Sequence, residues 1–192
     1  MRLSTLLWHF LIWVLYPLWL LAGLVDYLVH RQSHIESTSG RVESWFHVGQ
    51  FLLLAAPLLL LSYLAPTPLV IALATVALAL HTALSYADIS YTQGRRYISP
   101  LEQHAHALLI VLPAVAVAIV IMIDWDVASS RDWTVRLRDS SGRDVTLLVS
   151  SFFLLAGLPI AEELIRCLRR FRYHQIEHDH QRDEGHDAER KP

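Results

Sequence analysis

An all-α, integral membrane helical bundle of about five transmembrane helices follows from three observations. Five apolar stretches are each long enough, at about 1.5 Å per residue, to cross a ~30 Å hydrocarbon core. Of the 192 residues, 54% are apolar and only 18% charged, and the charges fall in blocks between the apolar runs; soluble domains carry about 25%. The histidines and carboxylates inside the stretches gather at one end, so antiparallel neighbours bring them to one depth.

The spans are expected at 4–30, 41–64, 69–91, 100–123 and 145–165. The first has the look of a signal peptide, but its apolar run exceeds an ordinary signal core, and it reads as an uncleaved span. Pro66-Thr67-Pro68 makes the turn between spans two and three. Pro17, Pro57, Pro113 and Pro159 fall inside spans and are expected to bend them. Between spans four and five, residues 133–147 alternate around Ser-Ser-Gly and read as a short β-hairpin-like connection. Residues 1–170 form the bundle, and the charged tail 171–192, with its four histidines, is expected to be disordered.

Orientation follows from basic residues near span ends. Arg31, Arg41, Arg95, Arg96, Arg166, Arg169, Arg170 and Arg172 share one side, against Arg2, Arg131, Arg136, Arg138 and Arg143. That bias places the N-terminus outside and the C-terminus in the cytoplasm, with a bacterial inner membrane as the expected location. The lone Cys167 excludes an internal disulfide and a Cys-rich metal site, and reads as a small apolar filler. No basic-aromatic module for nucleic acid occurs.

The chemistry lies in the one-ended cluster. Asp26/His30, Glu43/His47 and Glu102/His106 are each four apart, so each pair shares a helix face. His81 and Asp88, two turns apart, share a face of span three. Ionisable groups inside spans are costly and mark function by default. These eight residues are the expected metal ligands. Four imidazoles and four carboxylates suffice for two ions; without thiolates the set suits Fe first, with Zn or Mn next. Asp88 or Glu43 is the expected catalytic base. Haem is not expected, because the histidines lie in one layer among carboxylates. Arg31, Arg41, Arg95 and Arg96 surround the mouth as candidates for holding a substrate headgroup.

Neighbouring groups have plainer explanations. Ser99-Pro100-Leu101-Glu102 is a capping box, which accounts for Glu102 as well as ligation does. His104 points away from the Glu102 face, His9 is interfacial, and His34 and Glu36 are loop residues. Glu162 pairs with Arg166 one turn on.

The segments His30-Arg-Gln-Ser-His-Ile-Glu36, Gly40-Arg-Val-Glu-Ser44 and Arg96-Tyr-Ile-Ser-Pro-Leu-Glu-Gln-His-Ala-His106 resemble those of small multi-spanning bacterial membrane proteins of unknown function. More loosely, the site is similar to the di-iron carboxylate bundles of the ferritin-like class, with acid-x-x-x-His in place of Glu-x-x-His. The HxxHH boxes of membrane hydroxylases and desaturases do not occur. The expected function is a dinuclear Fe or Mn oxidoreductase acting on a lipid-soluble substrate at the cytoplasmic face. A zinc hydrolase of lipid amides or esters comes second. Metal or proton transport comes third, because the outer halves of the spans offer no polar route. The electron donor and the oligomeric state are not legible in the sequence.

Overall fold

Prolines and capping side chains set the helix starts. Thr67 is extended and Pro68 opens one helix; Ser99 is extended, Pro100 opens the next, and the Ser99 hydroxyl accepts from the Glu102 N–H at 3.2 Å. Proline at the first helical position loses no hydrogen bond, since that N–H has no partner in any case. In this computed structural model residues 2–138 and 142–189 are described, without the side chains of residue 174 and of 176–189.

Five helices are long and apolar enough to cross a membrane. We name them α1 (Leu3–Gln32), α2 (Gly40–Tyr63), α3 (Pro68–Thr92), α4 (Pro100–Ile123) and α5 (Gly142–Tyr173). Each agrees with its expected span to within three residues at the start, and the backbone of α5 continues as helix through Glu189. All four histidines of the tail, and most of the stretch expected to be disordered, fall where side chains are not described.

Two of the five helices carry a π turn, Leu11–Leu15 in α1 and Phe153–Gly157 in α5. Each lies just before a proline, Pro17 and Pro159. A proline lacks the N–H and its ring crowds the carbonyl four residues back. Those carbonyls belong to Trp13 and Leu155, both within the π turns. Pro57 and Pro113 instead lie within helices that remain continuous.

α2 and α3 pack tightly at Gly49, where a Cβ would lie 2.7 Å from the Leu84 side chain. The apolar core is built from Leu11, Leu15, Trp19, Leu54, Ile119 and Phe152, among others. Within it Phe152 stacks between Trp19 (5.2 Å) and Phe51 (5.1 Å). Much of the outward face of the bundle is apolar, with large apolar side chains such as Leu21, Leu52, Leu80, Val111 and Leu154 exposed on each long helix. Water would not tolerate that face, and it fits a hydrocarbon solvent.

The β-hairpin is corrected. No strand occurs among the described residues, and the expected second strand is the first turn of α5. The expected first strand runs instead beside the end of α2: Leu137 bridges Leu64, Ala65 N–H donates to the Arg136 carbonyl (2.8 Å) and Arg138 N–H to that of Tyr63 (2.9 Å). An extended segment satisfies its backbone wherever an open edge is nearest, and here that edge is the α2–α3 turn. The Ser-Ser-Gly turn lies largely outside the described residues.

Candidate metal centre

The acid-x-x-x-His pairs do converge. His30, Glu43, His47, His81, Asp88, Glu102 and His106 are all buried, and Asp26 is nearly so, at 13% side-chain exposure. They come from α1, α2, α3 and α4, as the matched depth requires. A fifth helix adds Glu163, buried from α5.

Glu163 joins two histidines. The His47 Nδ1 donates to its Oε1 at 2.5 Å, and its Oε2 lies 3.3 Å from His30 Nδ1. With Nδ1 committed as donor, the lone pair of His47 sits on Nε2. That nitrogen lies 3.2 Å from Asp88 Oδ2, yet makes no hydrogen bond. Asp88 Oδ2 accepts from Gln50 at 2.9 Å, while Asp88 Oδ1 has no hydrogen-bond partner. His106 Nε2 lies 3.1 Å from Asp26 Oδ1, but neither that oxygen nor His106 Nδ1 makes a hydrogen bond. Buried polar atoms without partners are rare and demand an explanation. Here four of them line one cluster, and three combinations have donor atoms close enough together to share an ion: His30/His47/His106, His30/Glu43/Glu102 and Glu43/His47/Asp88.

The rings of His30 and His47 stack in parallel, 3° apart in plane and 4.5 Å between centroids. Two imidazolium ions at that distance repel by on the order of 4 kcal/mol at an effective dielectric of about 20. Neutral rings suit the stack better, and a neutral ring is a metal ligand.

Glu43 and Glu102 are held from the other side by Arg96, whose side chain is only 3% exposed. Its Nη2 contacts both carboxylates, Nε reaches Glu43 at 3.2 Å and Nη1 reaches Glu102 at 2.9 Å. Ser39 also donates to Glu43. Burial alone would weaken Arg96's hold on its proton. The hydrogen bonds and charges of Glu102 and Glu43 outweigh it and raise its pKa above the ordinary value. Of the four arginines expected around a mouth, Arg96 therefore turns inward. The other three stay at the surface and apart: Arg31 binds Glu162 (3.0 Å), Arg41 lies over Phe171 (3.9 Å) and Arg95 over Tyr91 (3.9 Å).

His81 and Asp26 line the same small cavity, of about 70 Å³, as His30, His47 and Glu163, but neither belongs to any of the three ion-sharing groups. The plainer assignments also find their places. Glu162 lies 3.4 Å from Arg166, as its spacing requires, and His104 is exposed, bonded to the Pro100 carbonyl. Glu36 bonds Arg166 and stays out of the cluster.

No family model, no curated protein and no solved structure matches this chain. What it does must therefore be argued from this arrangement.

Proposed function

We propose that the chain is a membrane-embedded, metal-dependent oxidoreductase whose centre takes two divalent ions, iron first, and acts on a lipid-soluble substrate. Charge carries this reading. Five carboxylates (Asp26, Glu43, Asp88, Glu102, Glu163) face a single buried guanidinium, Arg96. With the imidazoles neutral, as ligation requires, the excess of four negative charges equals in size what two divalent ions bring. Unpaired carboxylates removed from water cost several kcal/mol each, so the excess calls for cations. The mixed imidazole and carboxylate donors suit iron, manganese or zinc.

Residue roles follow from what each oxygen already holds. His47 and His106 offer ring nitrogens without hydrogen bonds, and Asp26 and Asp88 offer free carboxylate oxygens. Glu163 orients His47 through Nδ1, the arrangement that fixes a ligating histidine in other metal sites. Glu43, engaged by Arg96 and Ser39, is a poor base; Asp88 keeps that role. When bound, the ions would supply Lewis acidity and redox chemistry to an adjacent substrate.

The zinc hydrolase is the second reading, and the free Asp88 Oδ1 favours it, since a base beside a metal-bound water is what hydrolysis needs. Transport is supported least, because beyond Trp19 and Phe152 the other half of the bundle is lined mostly by apolar side chains such as Leu11, Leu15, Leu58 and Val117. On the charge bias of the loops, the centre lies at the cytoplasmic face.

The test is elemental analysis of full-length protein purified in detergent without added metal, beside the double variant His47→Ala/His106→Ala. Two equivalents of iron in the wild type, and loss of most of it in the variant with the helical content unchanged, is the expected result. Zinc in place of iron selects the hydrolase. Metal-free wild-type protein that takes up none on reconstitution sinks the proposal.

A further inference from the structure

A large cavity lies in the half of the bundle that carries none of the candidate metal ligands. Its volume is about 490 Å³, within the range of small-molecule sites. α1 contributes Trp8, Ile12 and Trp19, α2 contributes Pro57 and Leu58, and α4 contributes Pro113 and Val117, with the start of α5 closing one side. The helices are irregular where they part. Leu11, Ile12 and Leu15 of the π turn face the space, and so do Pro57 and Pro113. Bends and π turns of this kind recur at functional sites.

Two features specify the occupant. The lining is mostly hydrocarbon, with the Tyr16 hydroxyl already bonded to Leu148 and Ser151; its charged groups, Arg138 and Asp144, stand with Ser62 at one rim. There Arg138 is already committed: it binds Asp124 at 2.7 Å, donates to the Leu61 carbonyl at 3.3 Å and lies 5.0 Å over the Trp8 ring. An anionic head would have to break that pair, whereas a hydroxyl or amide head would not. At the opposite end, Trp19 and Leu54 line both this cavity and the small one that contains His30 and His47. The apolar space thus ends against the wall of the candidate metal centre.

We propose that this cavity binds one long-chain amphiphile with an uncharged hydrogen-bonding head, held head-outward at the Ser62–Arg138 rim with its chain running toward Trp19. That the bound molecule is a substrate rests on the metal reading above; that it binds does not. The head therefore enters from the end opposite the surface arginines Arg31, Arg41 and Arg95, and the carbons nearest the centre are those of the chain.

A fatty alcohol brominated at mid-chain is the probe, added to delipidated full-length protein in detergent and followed by native mass spectrometry. One bound equivalent is expected. Ala116→Phe and, separately, Ser62→Phe fill the space and should weaken binding by about tenfold or more, on the order of 1.4 kcal/mol. Val111→Phe, on an exposed position of α4 (52%), should bind as the wild type does. The corresponding brominated fatty acid, at a pH where it is ionised, should bind at least about tenfold more weakly. Wild-type binding by both filled variants, several equivalents without a first tight one, or equal binding of the acid would each overturn the proposal. Metal content is read on the same samples. Alcohol binding with no metal fails the oxidoreductase and leaves the cavity assignment standing, whereas metal without alcohol binding does the reverse.

Discussion

The two halves of this bundle use the same helices in opposite ways. At the ligand-bearing end, α1 to α4 are regular, and carboxylates, imidazoles and Arg96 interlock through hydrogen bonds and ion pairs. Toward the other end, α1 carries a π turn, α2 and α4 carry inner prolines, and the helices open around apolar space. Regular helix fixes the spacing of side chains one turn apart, which a multidentate site requires. Irregular helix forgoes close packing and creates room. Precision and volume are thus separated along one set of spans.

The contrast is broken most severely at Arg96. Arg96→Gln leaves Glu43 and Glu102 without their guanidinium, and losing one partner of a buried pair costs about 3–5 kcal/mol. Thermal unfolding in detergent should show the loss, and added divalent metal should recover part of it by taking over the charge. At the apolar wall, Leu54→Ala should cost about 2–5 kcal/mol with metal content unchanged; a loss of metal there would mean the two halves are not separable. Adjacent residues on α5 sharpen the same point. Glu163→Gln should weaken metal affinity about 10–100-fold, as expected when the group orienting a ligating histidine is removed. Glu162→Gln removes a half-exposed pair with Arg31 and Arg166 and should cost no more than about 1 kcal/mol. The smallest effect belongs to Asp132, outside the spans. The Thr134 hydroxyl and N–H, and then Arg136, hold its carboxyl below the usual pKa. A lowered pKa stabilises the fold above the unfolded-state value and is lost as pH falls through the folded one. Asp132→Asn should therefore lower melting slightly at neutral pH, flatten its decline as pH falls, and melt as the wild type does once the carboxyl is protonated in both states.

Much of this was legible in the sequence because polarity in an apolar span is costly. Asp26, His30, Glu43, His47, Asp88, Glu102 and His106 stand out against Leu, Val and Ile, and i,i+4 spacing supplies their common face. Glu163 did not stand out. Its neighbour Glu162 pairs so naturally with Arg166 that the acidic doublet looked explained. The available signal was its place on the stripe Ala156, Ile160, Glu163 and Cys167, an acid where the inward face of α5 is otherwise small or apolar. Arg96 was misplaced for a related reason. Composition counts a loop arginine as surface, and only the fold reveals that the α3–α4 turn folds back over two carboxylates. The hairpin failed because alternation marks extended backbone without naming its partner.

The π turn at Phe153–Gly157 has a consequence for how α5 can vary. A widened turn of this kind amounts to one surplus residue in the register, and each residue of an α-helix turns the face by about 100°. Deleting one residue there would close the turn to regular helix and keep Glu163 on His30 and His47, whereas a deletion in the regular helix just after it would swing everything downstream by that angle, carrying Glu163 off both histidines while the span stayed as apolar. Hydropathy would not notice the change, so a shortened relative could insert normally and still have lost its fifth carboxylate.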